Sequence, residues 1–194
     1  MIDYLNNSTK IYDNNIFNLD TERFYREAED YFFYFGRNDK AISKLKQGIK
    51  LSPTNIKSLK FLGDIYFATG KMQNAFDYYS QAAALKPNDT QILSSMAVVC
   101  EALKNYQNAL DFLNLAFQNY TIKETRLYAQ MCDLKISLLI KLQKYAEAKI
   151  FLDKIKKSLP IEEIRLVEAT NNSATLKKKL SLRERIETLH IKVV

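Results

Sequence analysis

The 194-residue chain predicts an all-α fold, a right-handed superhelical solenoid of helix–turn–helix units closed by a C-terminal capping helix. Two observations carry this. Pro53, Pro87 and Pro160, all the prolines present, each lie twelve residues after an alanine: Ala41, Ala75 and Ala148. Pro53 and Pro87 are 34 residues apart, and the 73 residues from Pro87 to Pro160 are two such periods plus five, so a further unit without its proline lies between. Second, each period divides into two stretches whose apolar residues recur three and four apart, the spacing of a helix with one buried face.

The order along the chain follows from that period. A polar segment, 1–21, is rich in Asn and Asp and carries Ile11, Ile16 and Phe17. It is expected to be partly ordered at best, and it lacks the basic start and continuous apolar run of a signal peptide. Four units are expected at 22–55, 56–89, 90–123 and 129–162, with five extra residues at 124–128. In the reference unit, 56–89, Leu59, Leu62, Ile65 and Tyr66 form the stripe of the first helix. Ala75, Tyr78, Tyr79, Ala82 and Leu85 form that of the second, whose alanines permit close helix approach. Gly70, and Gly36 one period earlier, supply the turn, and proline stops the second helix.

The same slots hold Tyr25, Ala28, Glu29, Phe32, Ala41, Leu45, Gly48 and Pro53 in the first unit. They hold Leu93, Met96, Ala97, Cys100, Ala109, Leu113, Ala116 and Thr121 in the third. In the fourth they hold Cys132, Lys135, Ile136, Leu139, Ala148, Leu152, Ile155 and Pro160. Glu29, in the glycine slot, and Lys135, in a core slot, fit worst. Thr121 to Glu124 reads as a capping box, so the fourth unit's first helix should start early, near Ile122, and overhang its neighbours by more than a turn.

The run Leu59-x2-Leu62-Gly63-x2-Tyr66, then Ala75-x3-Tyr79 and Pro87, resembles the tetratricopeptide pattern W-x2-L-G-x2-Y, A-x3-F, P, with Leu for Trp and Tyr for Phe. The signature slots are Ala41, Pro53, Leu62, Gly63, Tyr66, Ala75, Tyr79, Pro87, Ala109, Ala148 and Pro160. Such hairpins cannot bury their apolar faces alone, so at least three must stack.

Beyond the repeats, 163–194 is expected to hold a short capping helix and then a basic amphipathic helix. The latter carries Lys177, Lys178, Lys179, Arg183 and Arg185, which contribute much of the net charge of +7. No apolar run approaches the roughly 20 residues a spanning helix needs.

The residues for chemistry are sparse. His190 is the only histidine, which leaves no His-based triad and no multi-histidine metal site. Cys100 and Cys132 occupy core-facing slots, as buried thiols do in a reducing compartment. All four glycines fall in repeat slots, so there is no phosphate-binding loop. No enzyme, cofactor or metal site is expected.

The resemblance implies a concave groove lined by the first helix of each unit, holding an extended peptide or a partner helix. By position it would comprise Arg23, Arg26, Asp30, Phe33 and Tyr34, then Lys57, Lys60, Asp64 and Phe67, then Gln91, Ser94, Val98 and Glu101, then Gln130, Asp133, Ser137, Ile140 and Lys141. Its first half combines four cations with aromatic rings, suiting an acidic peptide with apolar anchors; its second half is nearly neutral. The carboxylate clamp by which tetratricopeptide co-chaperones grip heat-shock proteins is missing. Its positions hold Arg26, Asp30, Phe61, Gln91 and Ser95 or, one unit on, Lys60, Asp64, Ser95, Gln130 and Leu134.

The expected function is therefore that of a non-enzymatic, cytoplasmic, chaperone-like adaptor for a protein or peptide. One alternative is a role like that of type III secretion chaperones for translocators, which usually have three repeats and an acidic balance. Another is binding of an anionic membrane or RNA through the basic C-terminal helix, against which Lys and Arg are mostly interleaved with Asp and Glu in the repeats. Oligomeric state stays open.

Overall fold

The computed structural model describes residues 19–121 and 125–158, and these are helical with short connections and no strand. The polar segment up to residue 18, the capping-box residues Ile122 to Glu124, Pro160 and the whole of 163–194 lie outside the described residues. Two compact units divide at Pro87.

The first unit contains α1 (19–29), which ends in a π-helical turn at Asp30–Tyr34, then α2 (Asn38–Leu51), α3 (Ile56–Ala68) and α4 (Met72–Leu85). The second contains α5 (Thr90–Ala102), α6 (Tyr106–Asn119), α7 (Thr125–Lys141) and α8 (Tyr145–Ser158). Helices α3 and α4, and α5 and α6, pack along their lengths as hairpins. Two of the leading helices start on side-chain caps one period apart. Asn55 accepts from the Ser58 N–H at 3.0 Å, and Asp89 from the N–H groups of Gln91 and Ile92 at 3.0 and 3.2 Å.

Each hairpin turn passes through one residue in the left-handed region: Gly36 (φ 61°), Gly70 (φ 77°), Lys104 (φ 63°) and Gln143 (φ 59°). In the last three turns the carbonyls are closed by the same pair of bonds. For Gly70 these are Gly70 N to Phe67 O at 3.0 Å and Lys71 N to Tyr66 O at 2.9 Å. The turn at Gly36 differs: Phe35 N donates to Asp30 O at 3.2 Å and Arg37 N reaches back to Tyr31 O at 2.7 Å. Each acceptor lies one residue further back than in the other hairpins, which widens the last turn of α1 into a π-helix.

The cores fill the repeat slots. In the first unit Ala28, Ala41, Leu45, Leu62, Ala75 and Ala82 are fully or almost fully buried, and in the second so are Ala97, Ala109, Leu113, Ala116, Leu139 and Ala148. At Gly63 a Cβ would sit 2.6 Å from a ring carbon of Tyr79, so only glycine lets α3 and α4 approach this closely. Glu29, in the matching slot of α1, is half-buried beside Tyr25, and the facing position holds Leu45 where the second hairpin has Tyr79.

The two misfits of the fourth repeat have local explanations. Lys135 is half-buried; its Nζ donates to Asn114 Oδ1 at 2.7 Å and lies 5.2 and 4.7 Å from the ring centroids of Phe117 and Phe151. A charged head thus sits between aromatic faces while its stem takes the core slot. Helix α7 has 17 residues against 13 in α3 and α5. Its first turn packs on the end of α6, with Tyr128 edge-on to Phe117 at 5.7 Å and tilted against Tyr120 at 5.1 Å.

Candidate functional site

In the first unit, the outward residues of α1 and α3 surround an aromatic cluster. Phe61, buried on α3, receives Tyr25 at 5.5 Å, Phe32 edge-on at 5.7 Å and Phe33 in a parallel stack at 5.9 Å and 12°. Phe33 is nevertheless 66% exposed, so one face of its ring is fixed and the other is open to solvent. Burial, reinforced by the charge of Glu29, pushes the Tyr25 hydroxyl up to about 12.

The cations expected on this face are mostly engaged. Arg23 pairs with Asp20 at 3.3 Å and Glu27 at 3.7 Å, and Arg26 pairs with Glu22 at 3.5 Å. Lys60 Nζ donates to Asp64 Oδ2 at 3.3 Å, and Asp64 Oδ1 accepts from the Tyr79 hydroxyl at 2.6 Å. Lys57 is exposed and Phe67 half-buried. These exposed or half-exposed pairs are each worth roughly 0–1 kcal/mol and exchange readily for a ligand's charges.

Asp30 and Tyr34 lie elsewhere. Asp30 lines an open cleft of about 500 Å³ on the α2 side of the π-helical turn, with Glu27, Tyr31, Phe35, Arg37 and Lys40. Tyr34 is 81% exposed.

In the second unit, Gln91 and Gln130 are exposed and Val98 and Asp133 half-buried. Ser94 is buried, its hydroxyl donating to the Gln91 carbonyl at 3.0 Å. Three further expected groove residues meet at Glu101 on α5, whose Oε1 accepts from Ser137 Oγ at 3.2 Å and Lys141 Nζ at 2.8 Å on α7. Lys141 also lies 5.1 Å from the Tyr106 ring centroid. This side-chain set is internally satisfied.

Position in the repeat put Glu101, Ser137 and Lys141 on the groove face, but it did not mark Phe61 as the hub of three rings or show that Glu101 would join the other two. The five consecutive aromatics 31–35 were the available sign of the first; the second had no local sign, because its partners are 36 and 40 residues away. Cys100 and Cys132 are buried free thiols, and burial raises both, Cys132 to about 12. Among the described residues no group of three or more His, Cys, Asp or Glu could hold a metal ion, and no helix is long and apolar enough to cross a membrane.

Residues 36–116 match the family model described as anaphase-promoting complex, cyclosome, subunit 3, a tetratricopeptide-type repeat. The structure is similar to MamA, with a TM-score of 0.62 and 18% identity over 80% of this chain and 78% of that one. It is similar to the Yersinia enterocolitica type III secretion chaperone SycD in complex with a peptide of the translocator YopD, with a TM-score of 0.58 and 18% identity over 62% and 92%. The first tetratricopeptide domain of Spaghetti (RPAP3), bound to the HSP90 peptide SRMEEVD, aligns with a TM-score of 0.55 and 18% identity over 62% and 94%. No curated protein matches the chain. The match to a tetratricopeptide-type repeat covers residues 36–116, and the fold of the described residues, all helical, is that of tetratricopeptide solenoid structures such as MamA.

Proposed function

We propose that this chain is a non-enzymatic, cytoplasmic interaction adaptor that holds a peptide or partner helix on the α1–α3 face of its first unit. The observation that carries the reading is Phe33, a ring 66% exposed yet held flat against Phe61. An exposed aromatic that is already immobilised loses little side-chain entropy when a ligand covers it, as a binding anchor should. Around it Arg26 and Lys57 are exposed cations and Lys60 is held by Asp64, so the ligand offers an apolar side chain to Phe33 and carboxylates to the cations.

Two tetratricopeptide structures with this fold are complexes with peptides, which supports a peptide as the ligand class. The likeness to SycD, over nearly all of that protein, favours a chaperone-like role for a secreted protein as the second reading.

The test is capture of partners from native lysate by the full chain and by an Arg26→Glu/Phe33→Ser variant, with nuclease added and at two salt concentrations. A protein held by the wild type and lost from the variant supports the adaptor reading. Equal capture by both, or recovery of nucleic acid or lipid instead, overturns it and turns attention to the basic C-terminal segment.

A further inference from the structure

The cleft beside the π-helical turn is separate from the Phe33–Phe61 stack and is lined from α1, the turn and α2 by Glu27, Asp30, Tyr31, Phe35, Arg37 and Lys40. At about 500 Å³ it is within the roughly 300–1,000 Å³ range of clefts that receive ligand groups, so an aromatic side chain fits. Two of its charges are already answered. Glu27 pairs with Lys44 and Arg23, and Arg37 pairs with Asp39 at 3.6 Å.

Two are not. Neither the Asp30 carboxylate nor the Lys40 ammonium has an ion pair among the described residues, although Lys40 lies 5.3 Å from the Tyr31 ring centroid. The repeat explains the free carboxylate. Its counterpart Asp64 is bound by Tyr79 and Lys60, whereas the first hairpin has Leu45 in place of that tyrosine. Phe35 in the wall of the cleft and Tyr34, its neighbour in sequence, are 66% and 81% exposed.

This patch therefore carries a hole, exposed rings, one free anion and one free cation. A two-fold interface sets one patch against its own copy, so that every contact occurs twice, and it requires a patch that carries both members of each complementary pair, as this one does. We propose that the π-helical turn of α1 is the contact face of a homodimer. In it the exposed rings of Tyr34 and Phe35 of each copy cover the cleft of the other, and Asp30 of one copy pairs with Lys40 of its partner.

The test is the mass of the full chain in solution, by sedimentation and light scattering over a concentration series. The wild type is expected to dimerise. Asp30→Lys or Lys40→Asp alone sets like charges against each other and should weaken dimerisation by roughly tenfold or more. The Asp30→Lys/Lys40→Asp double variant restores the opposite pairing and should regain the dimer, and Tyr34→Ser/Phe35→Ser should be monomeric with unchanged helicity. A wild type that stays monomeric, a dimer that none of these changes weakens, or a double variant no better than the single ones overturns the proposal.

Discussion

The Tyr79 hydroxyl donates to Asp64 at 2.6 Å, while the ring of the same tyrosine occupies the space that a side chain on Gly63 would need. One residue on α4 therefore reads two successive positions on α3. Any side chain at Gly63 must displace that ring and so also strain the hydrogen bond. Gly63→Ala should destabilise the chain by about 1–3 kcal/mol, and Gly63→Leu by more. Tyr79→Phe, which keeps the ring, should cost only about 1 kcal/mol. Thermal unfolding followed by circular dichroism checks the order.

Phe61 and Phe33 touch face to face but differ in what they hold. Phe61 anchors three rings from α1, so Phe61→Ala should cost about 3–5 kcal/mol. Phe33 has one open face, and Phe33→Ser should cost much less. Denaturant midpoints for the two variants give the comparison; similar losses would contradict the division between core and surface.

Lys104 and Gln143 hold backbone conformations that glycine adopts without penalty. Lys104→Gly and Gln143→Gly should each stabilise their hairpin by up to about 1 kcal/mol, relief of left-handed strain outweighing the added chain entropy. Gly70→Ala should do the reverse. Melting temperatures of the three variants test the sign.

The alkaline limb of stability has a defined direction. The Tyr25 hydroxyl and the Cys132 thiol titrate at about 12 in the folded chain, from ordinary values of 10.0 and 9.0. Both are raised, so the unfolded chain releases its protons first. Stability from these groups is intact below the ordinary values and falls as pH rises from about 9 to about 12. Tyr25→Phe and Cys132→Ala should flatten that fall, measured as the urea midpoint against pH.

The fold class was legible because the repeat writes the same packing constraint several times: an alanine where helices touch, a proline where the second helix stops. Single-slot substitutions were harder to read. Lys135 looked wrong for a core because its acceptor, Asn114, and its aromatic walls, Phe117 and Phe151, belong to other helices. The π-helical turn left no mark on the period, since Gly36 keeps the 34-residue distance to Gly70 while only the hydrogen-bond acceptors shift by one. On the candidate face, helical periodicity shows which residues of α1 and α3 point outward. It does not show that Arg23, Arg26 and Lys60 would be engaged by neighbouring carboxylates, which depends on rotamers rather than spacing.

The left-handed residues Gly36, Gly70, Lys104 and Gln143 each precede their signature alanine, Ala41, Ala75, Ala109 and Ala148, by five positions, although the third and fourth turns are 39 residues apart instead of 34. The surplus therefore lies upstream of the last turn, mostly in α7, which is four residues longer than α3 and α5, and it leaves the closure of the last hairpin untouched. Added length has thus been absorbed as an extra turn of helix before the hairpin, and the register from left-handed residue to alanine is the same in all four.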